Sequence, residues 1–210
     1  MAVEAAYIFI KEKTMKTLMI ASALALSVST AAMAADFDNT GVDLVLERDN
    51  LTFGIETTAG EATALSLGVA VLPHSVLGAD ADVTLGAEYG IQTEDLTFSA
   101  AYGLTKRYDA LAVYGSLEAS YTIASGAAEG AWTATPTVGA SYDVNEKLTA
   151  FGDVSYDFDA SNDWARQGGA VEIGARYALN DDIALTPSLV RTFDTGADET
   201  NLNIAVALRF

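Results

Sequence analysis

The chain carries one histidine and no cysteine. Thiolate zinc sites, iron–sulfur clusters, disulfides and cysteine nucleophiles are therefore excluded. The histidine, His74, precedes Ser75 in the stretch Pro-His-Ser-Val, and a Ser/His couple is the nucleophile and base of many hydrolases. Neighbouring residues of an extended chain point to opposite sides, so the imidazole is badly placed to hold the adjacent hydroxyl. No G-x-S-x-G elbow accompanies it. His74 reads as an exposed histidine in a connection over 73–81, and no catalytic residue is expected. Asp157, Asp159, Ser161 and Asp163 space oxygen ligands at alternate positions, as a calcium loop does. Asn162 stands where the turn glycine belongs and Gly168 where the closing glutamate belongs, so the stretch reads as a solvated acidic loop, with no metal and no cofactor.

The third set of candidates is a series of charges in an otherwise apolar pattern: Glu56, Glu88, Glu118, Asp153, Asp157 and Glu172, with Arg176 as their clearest counter-charge. They belong to a chain of 210 residues that is 50% hydrophobic, yet holds 29 acidic residues against 11 Lys+Arg, a net charge of −18. High hydrophobicity rules out an acidic disordered tail, and the lack of basic surface argues against nucleic acid as a partner.

The elements that position these charges alternate with period two. Leu65, Leu67, Val69 and Val71 alternate with Ser66, Gly68 and Ala70; Leu96, Phe98, Ala100, Tyr102 and Leu104 alternate with Thr97, Ser99, Ala101 and Gly103. The same pattern runs over 83–91, 111–123, 132–142, 148–158, 171–179, 183–193 and 202–210, which is the signature of two-faced strands. Short turns are expected at 92–95, 143–146 and 180–182, and longer connections at 73–81, 124–130, 159–169 and 194–199. In 41–58 the apolar parity changes between Leu46 and Leu51, which a bulge or a tight turn at 48–50 would explain. Counting 41–58 once gives ten strands, with eight as the alternative, in one domain over 35–210.

Before that domain, Lys16, an apolar stretch and the small-x-small run Ala32-Met33-Ala34 have the layout of a secretory signal peptide cut between Ala34 and Ala35. Residues 1–34 are then an N-terminal extension plus leader, with Met15 the true start, because Glu4 and Glu12 do not suit the basic region of a leader.

The less apolar face of the strands decides between a sandwich and a barrel. A soluble sandwich covers its outer face with Lys, Glu and Arg. Here that face is Gly, Ala, Ser and Thr with scattered acids, and only Lys106 and Lys147 follow the leader. Such a face suits a narrow lumen, and the continuous Leu/Val/Ile/Tyr face suits lipid. Aromatics on the lipid parity are expected in two girdles: Tyr89, Tyr121, Trp132, Tyr156 and Phe193 near the outer rim, Tyr102, Tyr142, Tyr177 and Phe210 near the periplasmic rim. Leu202, Ile204, Val206, Leu208 and Phe210 alternate to the last residue. This ending resembles the C-terminal assembly signal of bacterial outer-membrane β-barrel proteins, and the chain resembles a small barrel of the OmpX, OmpA-membrane-domain or small-porin kind.

The resemblance implies a closed antiparallel up-and-down barrel with both termini periplasmic, in the outer membrane of a Gram-negative envelope. It implies outer-membrane lipid and lipopolysaccharide as surroundings, and the barrel-assembly machinery and periplasmic chaperones as partners. The function expected is a narrow, porin-like passive pore whose acidic lumen prefers small cations. A structural or surface-interaction barrel without conduction comes next, and a barrel enzyme acting on lipid last. Phe210→Asp should lower the amount of protein in the outer membrane while leaving export intact, as read by fractionation; normal outer-membrane levels would refute the assembly signal.

Overall fold

A computed structural model describes residues 39–58, 63–127, 129–194, 196 and 198–210. The leader and the Ala34/Ala35 cleavage site lie outside them. The described residues form eleven strands: β1 (Asn39–Arg48), β2 (Leu51–Thr58), β3 (Thr63–Val76), β4 (Ala79–Gly90), β5 (Leu96–Tyr108), β6 (Leu111–Ile123), β7 (Ala131–Asn145), β8 (Leu148–Asp159), β9 (Ala165–Ala178), β10 (Ile183–Phe193) and β11 (Thr200–Arg209). Each strand pairs with its sequence neighbours, and β1 pairs with β11 to close the ring. The strand count is eleven, not ten or eight. The difference arises at 48–51, where the parity change is a hairpin turn: Asp49 takes left-handed backbone (φ 52°), and Arg48 pairs directly with Leu51.

An odd count leaves the first and last strands running the same way, so β1 and β11 pair in parallel, from Asn39↔Asn201 to Glu47↔Arg209. The other pairs are antiparallel. Asn39 and Phe210 consequently lie at opposite rims, which corrects the expectation that both chain ends share the periplasmic side. Connections at the Phe210 rim have two residues (49–50, 77–78, 109–110 and 146–147) or four (179–182), and those at the other rim have four to seven (59–62, 91–95, 124–130, 160–164 and 194–199). We call these the turn rim and the loop rim.

The stretch 73–81 is not a long connection. β3 continues through His74 to Val76, and the turn is Leu77-Gly78, both at positive φ (52° and 75°), the backbone that the tightest hairpins require. Proline disguises it. A proline has no N–H for a sheet ladder, and each of the 3 prolines sits where one ladder is interrupted. The β3–β4 register shifts between Val71 and His74 around Pro73. The β7–β8 pairing skips Pro136 and the β9–β10 pairing skips Pro187, while both residues stay registered with the strand on their other side, opposite Leu117 and Ile204.

Side chains on the apolar parity stand exposed on the outside of the ring, Val138 at 65%. The large exceptions are on the closing strand, where Val206 (1% exposed) and Leu208 (2%) are enclosed and packed by Leu44 and Leu46 of β1 and Ile183 and Leu185 of β10. Of the terminal alternating series, Ile204, Val206 and Leu208 are buried and Phe210 is exposed.

Glycines on the ring make room for aromatic rings from the adjacent strand, a pairing that pins register. A Cβ at Gly139 would come within 2.5 Å of the Tyr114 ring and 2.6 Å of the Asp153 Cβ; one at Gly174 would meet the Phe151 ring at 2.5 Å. Gly139→Val should therefore destabilise the barrel by about 1–3 kcal/mol, the usual cost of overpacking. The heat-modifiable gel shift of the folded barrel would then be lost at a lower temperature; an unchanged shift temperature would contradict this packing.

Candidate functional site: the lumen

The second face of the strands closes on the interior. Thr52, Ser66, Thr84, Glu88, Thr97, Ser99, Glu118 and Ser120, from the neighbouring strands β2 to β6, line one cavity of about 360 Å³. Only the concave side of a curved sheet can bring so many strands to one cavity. Apart from Leu67 and Ala87, the lining is hydroxyls, glycines and two carboxylates, because alternation reserves these positions for the polar parity.

Register gives the seven charges picked out in sequence the parity of this lining, and Glu88 and Glu118 are among the cavity residues themselves. Register carries Glu56 opposite Asp43 and Ala64, Glu88 opposite Ser66 and Thr97, Glu118 opposite Ala101 and Thr135, and Asp153 opposite Gly139 and Glu172. Asp157 lies opposite Gly168 and Arg176 opposite Thr149. Two of the acids are held by neighbouring hydroxyls. Tyr114 donates to Asp153 Oδ2 at 2.8 Å, spanning the space left by Gly139, and Thr135 donates to Asp157 Oδ1 at 2.6 Å. Arg176 opposes a residue the sequence reading left out: its Nη2 lies 3.9 Å from Glu47 Oε2.

Glu47 is the centre of a charge cluster at the turn rim. Arg209 Nε donates to the same Oε2 at 2.6 Å. On the other side of the ring, Arg107 Nη1 lies 3.8 Å from Asp143 Oδ2. Among the described residues, Arg107, Arg176 and Arg209 are the lumen-parity cations, and all three are at the turn rim with a carboxylate partner. From mid-barrel to the loop rim the charged lumen positions are acidic: Asp43, Glu56, Glu88, Glu118, Asp153, Asp157 and Glu172. The residues missed were Asp43, Glu47, Asp80, Asp82, Arg107, Asp143 and Arg209, with Asp80 and Asp82 on the lumen parity of β4 opposite Thr105 and Gly103. The signal for two of them was present, since Asp43 and Glu47 alternate with Val42, Leu44 and Leu46 once 48–51 is read as a turn.

Neither of the other chemical candidates assembles. His74 pairs with Ala81 and Ser75 with Asp80, adjacent rungs whose side chains take opposite faces. The His74 ring sits 6.0 Å from that of Tyr102, on the outer face of a strand rather than in a turn. In 157–163 the oxygens serve the loop and the adjacent β7: Asp159 Oδ1 accepts from Ser161 N at 2.9 Å, and Ser161 Oγ accepts from Trp132 N at 2.7 Å. Among the described residues no group of carboxylates and histidine is placed to hold a metal.

The outer face ends in aromatic belts. At the loop rim Tyr121 packs on Trp132 (centroids 4.9 Å), and Tyr156 packs on Phe158 and Phe193 (5.3 and 5.7 Å). At the turn rim Tyr108, Tyr142, Tyr177 and Phe210 are exposed. Tyr102 lies at the middle of β5, and Tyr108 takes the rim position expected for it. The chain is built as a small membrane-type β-barrel. No protein-family model and no curated protein matches it. Among solved structures it is similar to the outer-membrane expressed OmpT of Vibrio cholerae, at 11% identity over 70% of this chain and 52% of that one, with a TM-score of 0.42. It is also similar to in-vitro folded OmpT, an outer membrane protein of Vibrio cholerae, at 11% identity over 74% and 56%, with a TM-score of 0.41. The barrel spans about half the length of these structures.

Tyr114→Phe keeps the ring over Gly139 and removes the donor to Asp153. Stability should fall by about 1 kcal/mol, the net worth of a partly buried hydrogen bond, measured as the urea unfolding midpoint in micelles. An unshifted midpoint would show that the bond contributes nothing.

Proposed function

We propose that the protein is a narrow outer-membrane pore whose lumen prefers cations. The observation that carries this reading is the zoning of lumen charge: every lumen-facing arginine among the described residues is at the turn rim and paired, and the rest of the path is lined by unopposed carboxylates. A narrow channel with low-dielectric walls focuses such a field, concentrating cations and repelling anions. The apolar outer face, its aromatic belts and the short-turn and long-loop rims support placement in the outer membrane, with the turn rim periplasmic. Lipid and lipopolysaccharide then surround the barrel, and the terminal alternating strand suits the barrel-assembly machinery.

The lumen is small. Eleven strands enclose little more than the eight whose interior side chains fill, and Tyr114 and Phe151 both project inward over glycines. That filling favours a second reading, a structural barrel without conduction. Reversal potential under a KCl gradient in a planar bilayer separates the two. The expected result is small conductance with cation selectivity, reduced by Glu118→Gln with Asp153→Asn. Absence of channel events would support the structural barrel, and anion selectivity would overturn the cation-preferring lumen.

A further inference from the structure

We propose that β1 is a removable strand, so that the barrel exists as an eleven-stranded ring with β1 in place and as a ten-stranded ring when β1 leaves and β2 closes directly on β11. Direction is the first ground. β1 joins β11 in parallel and β2 antiparallel, so β2 and β11 already run opposite ways. Parallel pairing is slightly less stable per residue than antiparallel pairing, and removing β1 exchanges the single parallel seam for an antiparallel one.

Facing is the second ground. Leu44 sits between Val206 and Ile55 on the outer face, and Val45 between Ala207 and Gly54 on the lumen face. The edges flanking β1 thus present matching parity, and β2 can pair with β11 without turning any side chain from lipid to lumen. An unpaired edge is not tolerated in hydrocarbon, so departure of β1 and closure of β2 on β11 are one event.

The third ground is how β1 is held. Its Asp43 lies directly opposite Glu56 in register, and like charges facing across a strand pair destabilise it. Its ionic hold is Glu47, bound to Arg209 at 2.6 Å and near Arg176 at 3.9 Å. The hinge beyond is fixed to the barrel rather than to β1: Asn50 Nδ2 donates to Ala70 O at 3.0 Å, and Ala70 N donates to Asn50 O at 2.8 Å. β1 therefore leaves as a tethered strand, latched by the Glu47 carboxylate at its hinge end and by the packing of Leu44 and Leu46 on Val206 and Leu208, and repelled at its middle. The ten-stranded ring is narrower and lacks the Asp43 and Glu47 carboxylates.

Hydrogen exchange read by mass spectrometry on the refolded chain in micelles tests this without relying on conduction. Peptides from 39–48 should exchange at least about tenfold faster than those of β6 while β2 and β11 stay protected, the pattern of a sub-global opening confined to one element. Glu47→Gln should accelerate exchange in 39–48 further and leave β6 unchanged. The chain has no cysteine, so Val45→Cys with Ala207→Cys, a registered pair, provides a lock. Oxidation should slow exchange in 39–48 to the level of β6, and reduction should restore it. Should the double variant fail to fold, the comparison of parent with Glu47→Gln decides alone. Exchange in 39–48 as slow as in β6 and unmoved by Glu47→Gln would overturn the proposal. So would β1, β2 and β11 losing protection together, which would mean that the ring opens instead.

Discussion

In the proposed membrane setting lipid offers no hydrogen-bond partner to a peptide group, and this one constraint orders everything else in the molecule. A sheet that must satisfy every N–H and C=O internally has to close, and closure divides its side chains into an outer and an inner set at every second residue. The outer set becomes Leu, Val, Ile and aromatic rings, and the inner set becomes small or charged. The three prolines show how tightly the constraint binds. Each interrupts one ladder, and Pro136 and Pro187 stay in register with the strand on their other side, so the loss of a donor stays local.

The same constraint creates the least regular part of the barrel. With eleven strands the closing pair cannot be antiparallel, and the seam depends on β1, the strand whose lumen face carries both a like-charge neighbour and the carboxylate that two arginines grasp. Elsewhere the ring relies on repeated cross-strand fits, such as Tyr114 over Gly139 and Phe151 over Gly174. These set register strand by strand and narrow the interior as they do so.

Much of this was legible in the residues, for physical reasons that also mark where legibility stopped. Period-two alternation from Thr63 onward exposes strands, their lipid face and the inward acids, because burial by lipid and by lumen select for different side chains. At 41–58 the alternation changes phase, and a phase change is compatible with one bulged strand or with two strands and a turn. Pairing register distinguishes them, and register is a property of two strands, not one. His74 was misplaced because Pro73 beside it breaks the alternation at a bulge, which in sequence looks like a turn. Arg209 and Arg107 sat on the lumen parity at strand ends, yet which carboxylates they meet depends on how a cylinder of tilted strands brings distant ends together.

The separation of charge along the barrel, carboxylates through most of its length and arginine–carboxylate pairs at the Phe210 end, makes the lumen a permanent electric dipole aligned with its axis. On the proposed pore reading, an ion entering from the loop rim meets an attractive field first and a mixed one last, and an ion travelling the other way meets them in reverse. Such a path is not symmetric under exchange of its two ends. A lumen that conducts as proposed therefore passes current more readily in one direction than in the other, as a rectifier does.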